Sequence, residues 1–157
     1  MIRDFEPGRD DDAVKACIVE LQEFERAFEA SLPQGEEMVD AYLCVLMDRN
    51  AKYAGQILVA EIDSDVVGFA AVQGRVEPEA PDEEQAPHSY VSDLVVLPDH
   101  RGRGIGRKLL EHAETLARSA GAASLQISVL SRNESAARLY RNFGFGDFRI
   151  HLTKRLG

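Results

Sequence analysis

Apolar residues recur three and four positions apart at Val14, Cys17, Ile18, Leu21, Phe24 and Phe28. That spacing gathers them on one side of a helix. The helix opens near Asp10–Asp12, whose carboxylates suit its cap and its positive end. Ser31–Gly35, with Pro33 inside, breaks it, and a second helix runs from Glu36 to about Arg49, apolar around much of its circumference. Ile2–Phe5 is a short strand ahead of both. The run QILVAEIDSDVVGFAAVQGRV then reads as a hairpin: Gln56–Ile62, a turn at Asp63–Asp65, and a return over Val66–Val76.

Prolines and acids make Glu77–Ser89 a loop, either a solvated connection or an acidic lid over a cationic substrate. Tyr90–Leu97 is a strand, stopped by Pro98. A helix follows from about Gly104 to Ala120, with a stripe of Ile105, Leu109, Ala113, Leu116 and Ala117, and Gly121 suits its left-handed cap. Ser124–Leu130 is a strand. Ser131 and Glu134 form a capping-box pattern for a short helix that ends near Phe143, with Gly144 just beyond. Phe148, Ile150 and Leu152 alternate in a last strand.

The order is strand, two helices, three strands, helix, strand, helix, strand. The unit from Tyr90 to Leu130 needs one parallel crossover, while the hairpin is antiparallel. The expected fold is α/β: a mixed sheet flanked by helices on both faces. The length, 157 residues, suits one core, so residues 1–157 are expected to form a single domain.

Composition changes this picture little. Hydrophobic residues make up 45% and charged residues 29%, the balance of an ordinary globule. No apolar stretch is long enough to span a bilayer, and MIRDFEPGRDDD contains no apolar signal segment, so a cytoplasmic location is expected. The net charge of -9 disfavours nucleic acid and anionic membranes. It suits a cationic substrate, or simply solubility. Cys17 and Cys44 lie in helical segments outside any CxxC pair and are expected to be buried, reduced thiols. His88, His100, His112 and His151 lack ligand spacing, and no metal site is expected.

Against that acidity, PDHRGRGIGRKLL concentrates Arg101, Arg103, Arg107 and Lys108 around Gly102, Gly104 and Gly106. A strand, a glycine-rich loop and a helix start make an anion cradle, because free N–H groups and the helix dipole converge there. The even glycine spacing does not fit G-x-G-x-x-G, and Leu109 stands where a P-loop needs Ser or Thr.

The pattern that fits is R-x-x-G-x-G, at Arg101, Gly104 and Gly106. With SDLVVLP before it and NESAARLYRNFGF after it, the chain resembles the Gcn5-related N-acetyltransferases, the GNAT superfamily. The resemblance implies a partly splayed sheet and acetyl-CoA as co-substrate. It implies that Arg101, Gly102, Arg103, Gly104, Ile105 and Gly106, with Arg107, hold the CoA pyrophosphate. The pantetheine arm would pair with the backbone of Leu94, Val95 and Val96. Tyr140 would protonate the leaving sulfur, and Asn133, two helical turns earlier, would help hold the cofactor. Asp93 is the candidate base; Ser92 and Asp93 point to opposite faces of a strand, and the alternation leaves open which face is the active one.

In such proteins the last strands and the first two helices wall the acceptor pocket. Here those helices carry Glu20, Glu23, Glu25, Glu29, Glu36 and Glu37. The resulting expectation is direct acetyl transfer to a small cationic amine, such as a polyamine or aminoglycoside. Protein N-terminal or lysine acetylation is the alternative, and a non-catalytic acyl-CoA sensor is an alternative of another class. A homodimer fits the resemblance.

Overall fold

The computed structural model describes residues 1–157. Five strands hydrogen-bond in the order β1 (Ile2–Asp4), β2 (Gln56–Ile62), β3 (Asp65–Val76), β4 (His88–Val96) and β5 (Ser124–Ile127). The first three pairings are antiparallel and β4 with β5 is parallel. Four helices accompany them: α1 (Asp11–Arg26), α2 (Gly35–Lys52), α3 (Ile105–Ser119) and α4 (Glu134–Phe143).

Two apolar layers, one on each face of the sheet, follow from strand alternation. On one face Val14, Cys17 and Ile18 of α1 and Val39, Leu43 and Leu46 of α2 pack on Ile57, Val59, Phe69 and Val95. On the other, Ile105, Leu109 and Ala113 of α3 pack on Leu58, Ala60, Ala70, Val72 and Val91. Helices therefore cover both faces, as the periodicity predicts.

Local details differ from that reading. Asp10 precedes α1 but does not cap it. Its carboxylate instead accepts from Arg3 Nη1 at 2.7 Å and Nη2 at 2.9 Å, and from the Glu6 N–H at 2.8 Å. These bonds clamp β1 to the start of α1, and the Arg3 hydrogen bonds hold the Asp10 carboxyl below the ordinary carboxylate range. Cys17 is buried, and burial pushes its thiol up to about 12; Cys44 is exposed, against expectation. Because α2 is apolar around much of its circumference, its apolar surface is wider than the sheet covers, and Val45 and Met47 are exposed along with Cys44.

Asn133, not Ser131, caps α4: its Oδ1 accepts from the Ala136 N–H at 3.2 Å. The acidic loop 77–87 sits at the C-terminal end of α3, where Ala123 N–H bonds Pro87 O and Arg75 donates to Ala120 O. It is remote from the glycine loop at the other end of that helix. Finally, Phe148, Ile150 and Leu152 belong to no strand and are 72%, 80% and 87% exposed.

Phe69 is fully buried at the centre of the sheet. Phe69→Ala removes a large core side chain and should cost about 3–5 kcal/mol of unfolding free energy, read from the urea midpoint at unchanged slope.

Candidate active site

The site begins where two strands part. β4 and β5 pair from His88–Ser124 to Val91–Ile127 and no further, although β4 continues to Val96. Leu97 N–H donates to Val67 O at 2.8 Å, on the β3 side. Peptide groups of successive strand residues face opposite ways. Leu94 and Val96 therefore turn theirs into the opening, whereas Val95 turns its own toward β3 and buries its side chain.

Beyond the opening the chain makes a 3-10 turn, Pro98–His100, and then the glycine loop. Gly102 and Gly104 adopt φ of +74° and +77°, a region that side chains disfavour, and a Cβ at either would meet only open space. The N–H groups of Gly102, Arg103 and Gly104 have no main-chain acceptor, and the first bond closing α3 runs from Lys108 N–H to Gly104 O. The N–H groups of Ile105, Gly106 and Arg107 lie in the first turn, before any intrahelical acceptor. A row of donors thus lines the loop at the positive end of α3. Gly106 is required for packing: a Cβ there would lie 3.1 Å from Leu139 Cδ2 of α4 and 3.8 Å from Leu94 Cδ2.

The arginines divide the work. Arg101 Nε donates to Val96 O at 2.8 Å, its Nη2 bonds Glu20 at 3.0 Å, and its guanidinium lies 5.2 Å from the Phe24 ring centre. It fastens the loop to β4 and α1. Arg103 is exposed, and Arg107 bonds Glu111 at 3.1 Å beside the Phe143 ring.

An acidic cluster stands below the opening. Ala71 pairs with Asp93 and Val72 with Val91, leaving Ser92 as the extra residue of a β-bulge. The bulge breaks the alternation: Val91 faces α3, while Asp93 and Val95 face α1 and α2. Asp93 is buried, and its carboxylate accepts from Tyr42 Oη at 2.9 and 3.1 Å and from Ser92 Oγ at 2.7 Å. Burial raises its pKa, and those hydroxyls oppose the rise.

Glu20, Glu23 and Glu29 are each ion-paired, to Arg101, Arg26 and Arg155. Glu36 and Glu37 are exposed in the first turn of α2. Glu25 differs. It is half-buried with no hydrogen-bond partner, and burial followed by the charge of Asp93 raises its pKa. Tyr140 reaches the same place from α4. Its ring is 8% exposed and packs edge-on against Phe145, and its hydroxyl has no protein partner. Burial, then the charges of Glu25 and Asp93, push that hydroxyl up to about 12. Asn133, the cap of α4 two turns before Tyr140, is also buried, with Oδ1 committed to the cap and to Ser135 Oγ.

Residues 20–145 match the family model described as the Acetyltransferase (GNAT) family. The chain belongs to that family. A streptothricin acetyltransferase of Streptomyces lavendulae is 39% identical over 83 residues, 53% of this chain and 40% of that one. The chain thus spans well under half of that relative. An aminoalkylphosphonate N-acetyltransferase of Salmonella typhimurium is 30% identical over 151 residues, 94% of this chain and 86% of that one. Among solved structures, the aminoglycoside N-acetyltransferase AAC(6')-Iy in complex with CoA superposes with a TM-score of 0.71 at 16% identity. That match covers 100% of this chain and 99% of that chain, a likeness of fold.

In this GNAT chain the structure brings the glycine loop, Leu94, Val96, Asp93 and Tyr140 around one opening. Sequence reasoning missed Tyr42 and the distinction of Glu25. Tyr42 carried no motif signal, and Glu25 was one acid among six until the partners of the others were visible.

Burial raises the Asp93 pKa above its unfolded value, so the associated stability is full at low pH and is lost as pH rises from about 4. Asp93→Asn abolishes that loss. The variant should gain on wild type as pH rises above about 4 and melt higher at neutral pH, as paired thermal melts at acidic and neutral pH will show.

Proposed function

We propose that this chain is an acetyl-CoA-dependent N-acetyltransferase for a small cationic amine. The observation that carries the reading is the row of free N–H groups at Gly102–Arg107, level with the peptide group of Leu94 and the N–H of Val96, both turned away from β3. The loop fits a pyrophosphate and the strand edge fits an amide-bearing arm. Arg103 and Arg107 add charge at the mouth, and Arg101 positions the loop. Acetyl-CoA supplies an activated acetyl thioester.

The remaining chemistry falls to side chains around the opening. An alkylammonium has a pKa of about 10.4, so nearly all of it is protonated at neutral pH. Glu25 has free lone pairs and a raised pKa, which suit it to attract the ammonium and take its proton. Both Asp93 oxygens already accept hydroxyls. Asp93 therefore acts chiefly through its charge, which makes Glu25 more basic. Tyr140 keeps its proton throughout the physiological range and can deliver it to a departing thiolate. Arg49 acts on Asp93 but no cation acts on Glu25, and that free carboxylate favours a cationic acceptor over a neutral one.

Calorimetry with CoA, followed by thiol release across a panel of amines, tests the reading. Saturable CoA binding with turnover of polyamines or aminoglycosides is expected. Binding without turnover of any amine would leave a sensor, and no CoA binding would end the proposal. Tyr140→Phe should lower kcat by about 10²-fold or more while CoA affinity stays within twofold. Glu25→Gln should raise KM for a diamine about tenfold and remove the acidic limb of the kcat/KM profile.

A further inference from the structure

Two tyrosines approach the acids of the opening, and their hydroxyls have different fates. That of Tyr140 has no protein partner and is free to give its proton. That of Tyr42 is already spent. Tyr42 Oη stands 2.9 Å from Asp93 Oδ1 and 3.1 Å from Oδ2, so its one proton is shared across the carboxylate. Ser92 Oγ donates to Oδ2 at 2.7 Å. Burial and then the charge of Asp93 raise the pKa of Tyr42. Tyr42 therefore remains a donor wherever that carboxylate is ionised.

Helix α2 delivers this hydroxyl. Val39, Leu43 and Leu46 form its buried stripe, and Tyr42 borders that stripe, partly buried against the same core. A phenylalanine would keep that packing and lose only the contact to Asp93, which the bulge at Ser92 has turned to this side. Arg49 follows two turns later on the same face of α2 and lines a small cavity together with Ser92. Two hydroxyls and one guanidinium thus favour the ionised form of Asp93, and burial opposes it. Glu25 of α1 and Tyr140 of α4 feel the resulting charge. Glu25 itself has burial and the Asp93 charge against its ionised form and no donor in its favour.

We propose that Tyr42 is a positioning residue that decides which of the two carboxylates takes the proton of the amine. Its hydroxyl, held across both oxygens of Asp93, keeps that group ionised and competes with any incoming proton. The charge so fixed leaves Glu25, with its free oxygens, to accept. The transfer is a single one: an N–H bond of the ammonium breaks, an O–H bond forms on Glu25, and nitrogen keeps the electron pair with which it attacks the thioester. Without the Tyr42 hydroxyl the two acids compete for that proton, and the one buried deeper gains. The use made of the proton rests on the proposed transferase activity. The order in which the two acids titrate rests on the Tyr42–Asp93 contact alone.

Carboxyl NMR titration of the isotope-labelled chain, with neither CoA nor amine present, tests that order. In wild type Glu25 should titrate above Asp93. In Tyr42→Phe the two midpoints should move in opposite directions. Asp93 moves up because its ionised form loses a donor, and Glu25 moves down because Asp93 is then more often neutral while Glu25 titrates. A packing role alone would lower the melting temperature and shift neither midpoint. Midpoints that stay in place or move together in folded Tyr42→Phe overturn the proposal, as does a wild type in which Asp93 titrates above Glu25. Should Tyr42→Phe fail to fold, 3-fluorotyrosine at position 42 alone keeps the ring and strengthens the donor. It should lower the Asp93 midpoint, and an unmoved midpoint overturns the proposal. With an amine that turns over, the acidic limb of kcat/KM in Tyr42→Phe should follow the Glu25 midpoint downward at an unchanged KM for acetyl-CoA. Opposed shifts in a chain that turns over no amine would refute the transferase activity and leave the role of Tyr42 standing.

Discussion

The structure depends on the parting of β4 from β5 after Val91. Main-chain donors and acceptors taken from water must find partners. A strand with one bare edge in mid-sheet persists only when something else holds it straight. Here β3 holds β4 along its other edge as far as Gly68–Val96, and Arg101 ties Val96 O to the loop that follows. Gly106 lets α3, α4 and Leu94 meet at the van der Waals limit. The opening is therefore rigidly framed, and what enters it must supply hydrogen bonds in strand-like order.

The frame also explains why the acids lie where they do. The extra residue at Ser92 turns Asp93 from the α3 side to the α1 side, which brings a charge into a buried pocket. The protein partly compensates with two hydroxyls, from Tyr42 and Ser92, and leaves the residual field to act on Glu25 and Tyr140. Raised carboxylate pKa values cost stability at neutral pH. Such a cost is typical of sites that keep a group poised for proton transfer.

Much of this was legible in the residues. Periods of 3.6 and 2 identified four helices and the first five strands, because each buries one side against the sheet or the helices covering it. The R-x-x-G-x-G loop was legible because its glycines answer to a local backbone need, seen in the positive φ of Gly104. The bulge was not, since one inserted residue leaves composition and alternation nearly unchanged while reversing which side chains face the pocket. Nor was the full extent of the covered side of α2, where apolar residues around much of the circumference blurred the edge of the buried face. Ser131 fitted a capping box around the Glu134 N–H, but that N–H bonds Arg132 O and the cap is Asn133, which accepts from the Ala136 N–H.

The C-terminal segment shows a different limit. Alternation at Phe148, Ile150 and Leu152 records that one side of this stretch is to be covered, and it carries no information on what covers it. A helix satisfies its backbone internally, so its sequence nearly suffices to define it. A strand is half an interaction, and its other half can lie anywhere, including on another molecule. Within one chain this tail is fastened at both ends, beside an edge that it does not reach, and its apolar side chains remain in water. That arrangement is unfavourable in isolation.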